Sequence, residues 1–410
     1  MALQIDLRQL VLLIASSVDL VGVDDVLHGR RVAILAVECA KRLGWNEEEQ
    51  QLLFDAALLH DVGVSSTRLH CRLVNELDWA EASLHAERGY ELLKDFAPLA
   101  HLAPIVRYHH THWQDLQRDN IDPDISRFTN LIYLADRIDV SAHPYYAENS
   151  LLLHVQEICA RIKQYRGTYF APELVDAFLA AAQAEAFWLI LDSDFIPQYV
   201  NDMGRSADKA QIGLENLKQL GSIVAAIVDA KSHFTSEHSH GVARVARFIG
   251  GEFGLRGEHL DRLEVAALLH DIGKLQIPDE VLESPLKLTP YERAIMKKHS
   301  FATYQILKRV IGLEEVARWA SQHHESLNGG GYPFHRLAGE LPLESRIIKV
   351  ADIYQALAQM RPYRNPLPPS EILQLLRQME KALEIDPQLV DFVAGHLDDC
   401  QSAAVGPQGS

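Results

Sequence analysis

The sequence predicts an all-α protein of two tandem domains joined by a helical linker, and three observations predict it. Apolar residues recur at helical spacing along most of the 410 residues. Few segments show the strict alternation of a strand. A block of histidines and aspartates occurs twice, in the same order and nearly the same spacing.

The later block is organised around Leu268-Leu269-His270-Asp271-Ile272-Gly273-Lys274. His238 lies 32 residues before His270, and His299, the pair His323-His324 and Asp352 follow. Leu58-Leu59-His60-Asp61-Val62-Gly63 repeats the central run, and His28 lies 32 residues before His60. His85 precedes His109-His110 by 24 residues, as His299 precedes His323, and Asp136 matches Asp352. Ten of the 20 histidines fall in these two sets, a register that independent core histidines would not keep. Imidazole and carboxylate together suit hard and borderline divalent metals, and a carboxylate can bridge two cations. No cysteine belongs to either set, which argues against a thiolate zinc finger.

The two copies differ. Lys274 follows the second His-Asp pair where the first has Val64. The second copy carries Asn328-Gly329-Gly330-Gly331-Tyr332-Pro333 after its double histidine, and the first carries Thr111-His112-Trp113-Gln114. A lysine beside a metal pair stabilises phosphate charge and a valine does not. The first copy (His28, His60, Asp61, His85, His109, His110, Asp136) is therefore a candidate second metal site without full catalysis. Asp24, four residues before His28, is either an added ligand or part of a helix cap.

Taken in order, residues 6–20 form an apolar helix, and Asp24-Asp25 precede a helix from His28 that stops at Gly44. Asn46 caps a helix over Glu47 to Leu59. Further helices are expected at 83–95, 102–110, 125–140, 150–164 and 172–190. Residues 192–209 are less regular and read as a linker. The amphipathic run from Lys209 to Ala230 either packs on its own domain, connects the domains rigidly or pairs with its copy in a homodimer. Helices then carry His238 (237–253), lead into His270 (258–270), and carry His299 (291–310), His323-His324 (313–324) and Asp352 (344–360). Pro278, Pro285 and Pro290 punctuate the loop between the second and third of these. Helices at 370–383 and 387–397 close the domain, and 401–410 reads as disordered.

Composition narrows the function. A formal charge of −17 argues against binding nucleic-acid backbones such as DNA. An anionic small substrate stays open, because bound metal ions invert the local field. Cys39, Cys71, Cys159 and Cys400 are scattered and read as free thiols of a reducing cytoplasm. No apolar stretch is long enough to span a membrane, and no secretory signal is expected.

The second domain resembles the HD-GYP family, a branch of the HD phosphohydrolases. The matching pieces are Thr235-Ser236-Glu237-His238-Ser239, His270-Asp271-Ile272-Gly273-Lys274, Ile277-Pro278, His323-His324-Glu325, Gly331-Tyr332-Pro333 and Arg361-Pro362-Tyr363-Arg364. The first domain resembles a degenerate HD domain by ligand pattern alone. The resemblance implies two HD-type helical domains and hydrolysis of cyclic di-GMP to pGpG and, in some members, GMP. It implies one metal held by His238, His270, Asp271 and Asp352, and another by Asp271, His299, His323 and His324, with Asp271 bridging. Lys274 would lie near the scissile phosphate, and Arg361 and Arg364 would contact phosphate. The glycine run 329–331 with Tyr332 reads three ways from its residues: Tyr332 stacks on a base, the loop docks a partner protein, or the run is a structural turn. Two cations about 3.5–4 Å apart acidify water and hold a phosphate oxygen. Iron or manganese fits the donors.

Two departures from the family pattern stand out. Phe234 replaces the glutamate of members with a third metal, so two are expected. Asn328 replaces a usual aspartate. The division expected is a regulatory, non-catalytic domain at 1–200, a linker and connecting helix at 201–231, a catalytic domain at 232–400 and a tail at 401–410. Cyclic GMP-AMP is the alternative substrate. A non-catalytic sensor or adaptor of cyclic dinucleotides, or of a GGDEF-type diguanylate cyclase, is the alternative class.

Overall fold

A computed structural model describes residues 3–22, 27–75, 82–206, 210–231, 237–284, 286–360 and 364–406. Asp24, Phe234, Thr235, Ser236 and Arg361 to Tyr363 lie outside the described residues. The all-α expectation holds: among the described residues the only paired strands are Ile5–Asp6 and Gln211–Ile212, antiparallel. No described helix is long and apolar enough to cross a membrane.

The chain divides into two units, Ile14–Ala210 and Met1–Leu13 with Gln211–Ser410. This differs from the expected boundaries in three places. The run read as a linker carries a helix, Ile196–Ser206, whose Ile196 is buried and whose Tyr199 hydroxyl donates to Glu38 Oε1 at 2.8 Å. It belongs to the N-terminal unit. The run read as a connecting helix, Leu214–Lys231, buries Leu217, Leu220, Val224 and Ile227 inside the C-terminal unit. Of the 401–410 tail read as disordered, 407–410 lie outside the described residues and 401–405 end the helix Leu397–Val405. Its Cys400 and Ala404, four residues apart, share one buried face, and Arg244 Nε donates to Ala403 O at 2.8 Å.

The Leu214–Lys231 helix is the counterpart of Leu7–Asp19, so the repeat begins earlier than the histidines. Val18-Asp19 and Val228-Asp229 keep the offset of 210 that relates the His-Asp pairs. Each aspartate serves the next helix. Asp19 Oδ1 accepts from Gly29 N at 3.3 Å, and Asp229 Oδ2 accepts from Ser239 N at 3.1 Å. They satisfy orphan donors at the starts of His28–Arg42 and His238–Glu252, which have no side-chain cap of their own.

Most other helices form where expected. Asn46 and Glu49 make a reciprocal capping box at the start of Glu47–Leu58, and Thr289 with Glu292 does the same for Pro290–Leu307. The stretch expected as one helix at 172–190 is two, Pro172–Ala181 and Glu185–Leu189.

Candidate metal centres

In the C-terminal unit five elements converge. His238 opens its helix, and His270 follows Gly257–Leu269 where the chain tightens into a 3-10 turn at Ile272–Gln276. His299 is on Pro290–Leu307, His323 and His324 follow Glu314–Ser321, and Asp352 is on Leu343–Ala358. Gly273 lets two of these meet. A Cβ there would stand 2.0 Å from His299 O, and at Gly63 it would stand 2.0 Å from His85 O. Glycine at both positions follows from backbone approach, not turn conformation.

Asp271 is the centre of the cluster. Its Oδ1 is 3.5 Å from His299 Nε2 and 3.7 Å from His323 Nε2. Its Oδ2 is 3.1 Å from His270 Nε2, 3.7 Å from His238 Nε2 and 2.5 Å from Lys274 Nζ. One carboxylate thus addresses a separate histidine group with each oxygen. Asp352 Oδ1 joins the second group, 3.3 Å from His238 Nε2. His324 joins the first, grouped with His299 and His323.

The rings are held so that lone pairs face inward. His270 Nδ1 donates to Ala267 O at 2.7 Å, His299 Nδ1 to Met296 O at 2.6 Å and His323 Nδ1 to Ala320 O at 2.6 Å. A carbonyl only accepts, so each Nδ1 carries a proton and Nε2 is the nitrogen turned toward the cluster. His238 Nδ1 is fixed by Gln355 Oε1 at 2.5 Å. Buried His270 Nε2 and Asp271 Oδ1 have no hydrogen-bond partner in the protein. Such orphaned acceptors, converging on one point, are what a cation satisfies. The donors therefore fit divalent metal.

The charges agree. Burial alone would raise the Asp271 carboxyl, but His270 and Lys274 overcome it and hold it well below the usual range. Burial lowers His299 to about 4 and His324 to about 3, so both rings are neutral ligands near pH 7. Asp352 is held low against its burial by His238.

The glycine loop forms one wall. Tyr332 lies 4.8 Å from the His324 ring, and Lys297 Nζ lies 5.2 Å from the tyrosine ring centre. Glu325 anchors the loop, accepting from Phe334 N at 2.6 Å and Arg336 N at 3.0 Å. Gly331 is required because a Cβ would meet Glu325 Cα at 2.4 Å. Asn328 explains its departure from the family pattern. Its Oδ1 accepts from Gly330 N at 2.8 Å, as an aspartate would, and its Nδ2 donates to Ala382 O at 2.9 Å, which an aspartate could not do. Arg364 donates to Ala356 O at 2.5 Å, so one of its donors is committed to the helix that carries Asp352.

The N-terminal unit repeats the arrangement. Asp61 Oδ1 is 3.0 Å from His85 Nε2 and 3.7 Å from His109 Nε2, and Oδ2 is 3.3 Å from His60 Nε2 and 3.8 Å from His28 Nε2. Asp136 Oδ1 is 3.4 Å from His28 Nε2. His60 Nδ1 and His109 Nδ1 again donate to carbonyls, of Ala57 at 2.7 Å and Val106 at 2.6 Å. In place of a glycine loop, the His112 ring stacks on Tyr169 at 3.7 Å.

Comparison with known proteins places this geometry. The HD domain family matches at residues 222–389 and at 26–141. The 3'3'-cGAMP-specific phosphodiesterase 1 of Vibrio cholerae is 36% identical over 393 residues, 95% of this chain and 91% of the relative. The chain belongs to the HD-GYP family. A second HD-GYP relative, the cyclic di-GMP phosphodiesterase response regulator RpfG of Xanthomonas campestris, is 35% identical over 179 residues, 43% of this chain and 47% of the relative. The crystal structure of a cyclic GMP-AMP-specific phosphodiesterase of V. cholerae (V-cGAP3) superposes with a TM-score of 0.65 at 25% identity, covering 97% of this chain and 98% of that one.

Sequence reasoning on this HD-GYP protein missed the residues that orient the ligand candidates. Gln355 holds His238, and Asp139 holds His28 at 2.8 Å. Each lies three residues after the matching aspartate, one turn along the same helix, which is the signal that could have found them. Asp139 is itself held by Arg31 Nε at 2.7 Å and the Tyr146 hydroxyl at 2.6 Å.

Proposed function

We propose that the C-terminal unit is a dinuclear metal phosphodiesterase that hydrolyses a cyclic dinucleotide to its linear form. The observation that carries this reading is Asp271, whose two oxygens each face a different histidine group. His238, His270, Asp271 and Asp352 would hold one ion, and Asp271, His299, His323 and His324 the other. Iron or manganese suits this nitrogen and oxygen set. Bound there, two divalent cations acidify a water and polarise the phosphoryl oxygens.

The chain supplies the rest. Lys274 Nζ, 2.5 Å from Asp271 Oδ2 and partly exposed, is positioned to favour charge growing on the phosphoryl group. Tyr332 would offer its ring to a base, and Lys297, exposed beside it, adds positive charge to an otherwise acidic protein. Arg364 and Arg361 would meet the phosphate from the segment after the Asp352 helix. Water attacks phosphorus, one phosphate ester bond breaks, and the released sugar oxygen takes a proton.

Cyclic GMP-AMP is the favoured substrate, and cyclic di-GMP is the second reading, which reverses the order taken from the sequence. The support is coverage. The cGAMP-specific relative aligns over both domains, 95% of the chain, whereas RpfG aligns over 43%. Side-by-side hydrolysis of 3'3'-cGAMP and cyclic di-GMP by metal-loaded protein tests this. A faster rate on cGAMP supports the first choice, and the reverse selects the second. Binding without turnover of either would make the protein a sensor.

A further inference from the structure

The N-terminal unit repeats the ligand geometry, but its two halves are not alike. One half is a four-donor group of Asp61, His85, His109 and His110. His85 Nε2 stands 3.0 Å from Asp61 Oδ1 and 3.1 Å from His109 Nε2, which stands 3.7 Å from the same oxygen. Tetrahedral bonds of 2.0–2.1 Å place donors about 3.4 Å apart, so these separations bracket a coordination shell. Asp61 is 5% exposed and its Oδ1 has no hydrogen-bond partner. The His109 ring cannot turn away, because Nδ1 donates to Val106 O.

The other half carries a protein cation. In the C-terminal unit His238, His270 and Asp352 gather as a close group. Their counterparts come as close at one contact, Asp136 Oδ1 lying 3.4 Å from His28 Nε2, but the other oxygen of that carboxylate meets a protein cation. Asp136 Oδ2 accepts from Arg137 Nη2 at 2.6 Å and Nε at 3.2 Å. Arg137 is 2% exposed and also donates to Leu73 O at 3.2 Å. A guanidinium stays protonated, so this is a permanent charge. The matching position after Asp352 is Ile353. The second unit therefore has two carboxylates for two ions, and the first has one carboxylate already neutralised.

We propose that the N-terminal unit binds a single divalent transition-metal ion through Asp61, His85, His109 and His110, and that Arg137 stands as a fixed cation in place of a second ion. Three imidazoles and one carboxylate suit zinc or iron. Four protein donors close a tetrahedral shell and leave no open position for a reacting water, which is the pattern of a structural ion. Val64 in place of Lys274, and the His112–Tyr169 stack in place of the glycine loop, agree with a centre that holds metal without turnover.

The test is the number of metal ions per full-length chain, by elemental mass spectrometry, in the wild type and in four variants purified anaerobically. His85→Gln removes one ion and His28→Gln removes none. Arg137→Ile, which restores the second unit's residue type, adds one ion, and Arg137→Lys leaves the count unchanged. Should Arg137→Ile fail to fold, the histidine pair still decides. Loss of an ion in His28→Gln, no loss in His85→Gln, or an unchanged count in soluble Arg137→Ile overturns the proposal. The count is independent of hydrolysis, so failure here leaves the reading of the C-terminal unit standing.

Discussion

His299 Nε2 and His323 Nε2 face each other across 3.3 Å with both rings pinned by backbone carbonyls at Nδ1. Two neutral imidazoles in that tautomer direct lone pairs at one another. The Ser300 hydroxyl, 3.1 Å away, can donate to His299 Nε2, but Asp271 Oδ1 at 3.5 and 3.7 Å adds negative charge to the same space. The site is built for a cation.

Gly273→Ala should be severe. The new Cβ would sit 2.0 Å from His299 O and 2.8 Å from Thr303 N, both backbone atoms that cannot move alone. Chemical denaturation should show a loss of about 3 kcal/mol or more, with reduced metal content. Near-wild-type stability would mean that the Pro290–Leu307 helix is not packed against this turn.

Lys274→Met should slow the reaction while leaving the metals in place. Its ammonium contacts Asp271, yet the proposed ligand set does not need it. The account expects kcat lower by about 10²–10³-fold at unchanged metal content. An unchanged kcat would remove Lys274 from the phosphate.

Glu325→Gln should loosen the glycine loop. The carboxylate accepts from two loop amides and is 1% exposed. The amide keeps one acceptor and turns a donor toward the other N–H. A stability loss of about 1–3 kcal/mol is expected, with KM raised through Tyr332. An unchanged KM would separate the loop from substrate binding.

The pH dependence of the metal-free protein has a definite sign at His324. Burial, reinforced by His299, lowers its pKa from 6.5 to about 3. Between those values the unfolded chain takes a proton that the folded chain refuses, so stability falls as pH falls. Chelator-treated His324→Gln lacks that loss. It should therefore be less destabilised than wild type between pH 6.5 and 4, by roughly 1–3 kcal/mol. Equal acid sensitivity would mean that His324 is protonated in the fold.

Much of the site was legible because its residues are rare and periodic. His28, His60 and His85 keep step with His238, His270 and His299, and five converging elements follow from that register. Asp139 and Gln355 were not legible as a pair, because carboxylate and amide do the same work at one imidazole and share no letter. Arg137 carries no sequence signal that sets it apart from an ordinary helical charge; its burial against Asp136 does. The boundaries went astray for another reason. The Ile196–Ser206 and Leu397–Val405 helices are short, and burial at Ile196, Cys400 and Ala404 holds them. Gln4-Ile5 and Gln211-Ile212 carried a further signal, since each opens a repeat and the two strands pair.

The measurement closest to the central claim is hydrolysis of 3'3'-cGAMP and cyclic di-GMP by the anaerobically purified chain and its Asp271→Ala variant, with metal counted in each sample. The account predicts turnover to a linear dinucleotide by the wild type. It also predicts loss of both turnover and C-terminal metal in the variant, because one carboxylate serves both histidine groups. Undiminished hydrolysis by Asp271→Ala, or none by a fully metal-loaded wild type, would contradict it.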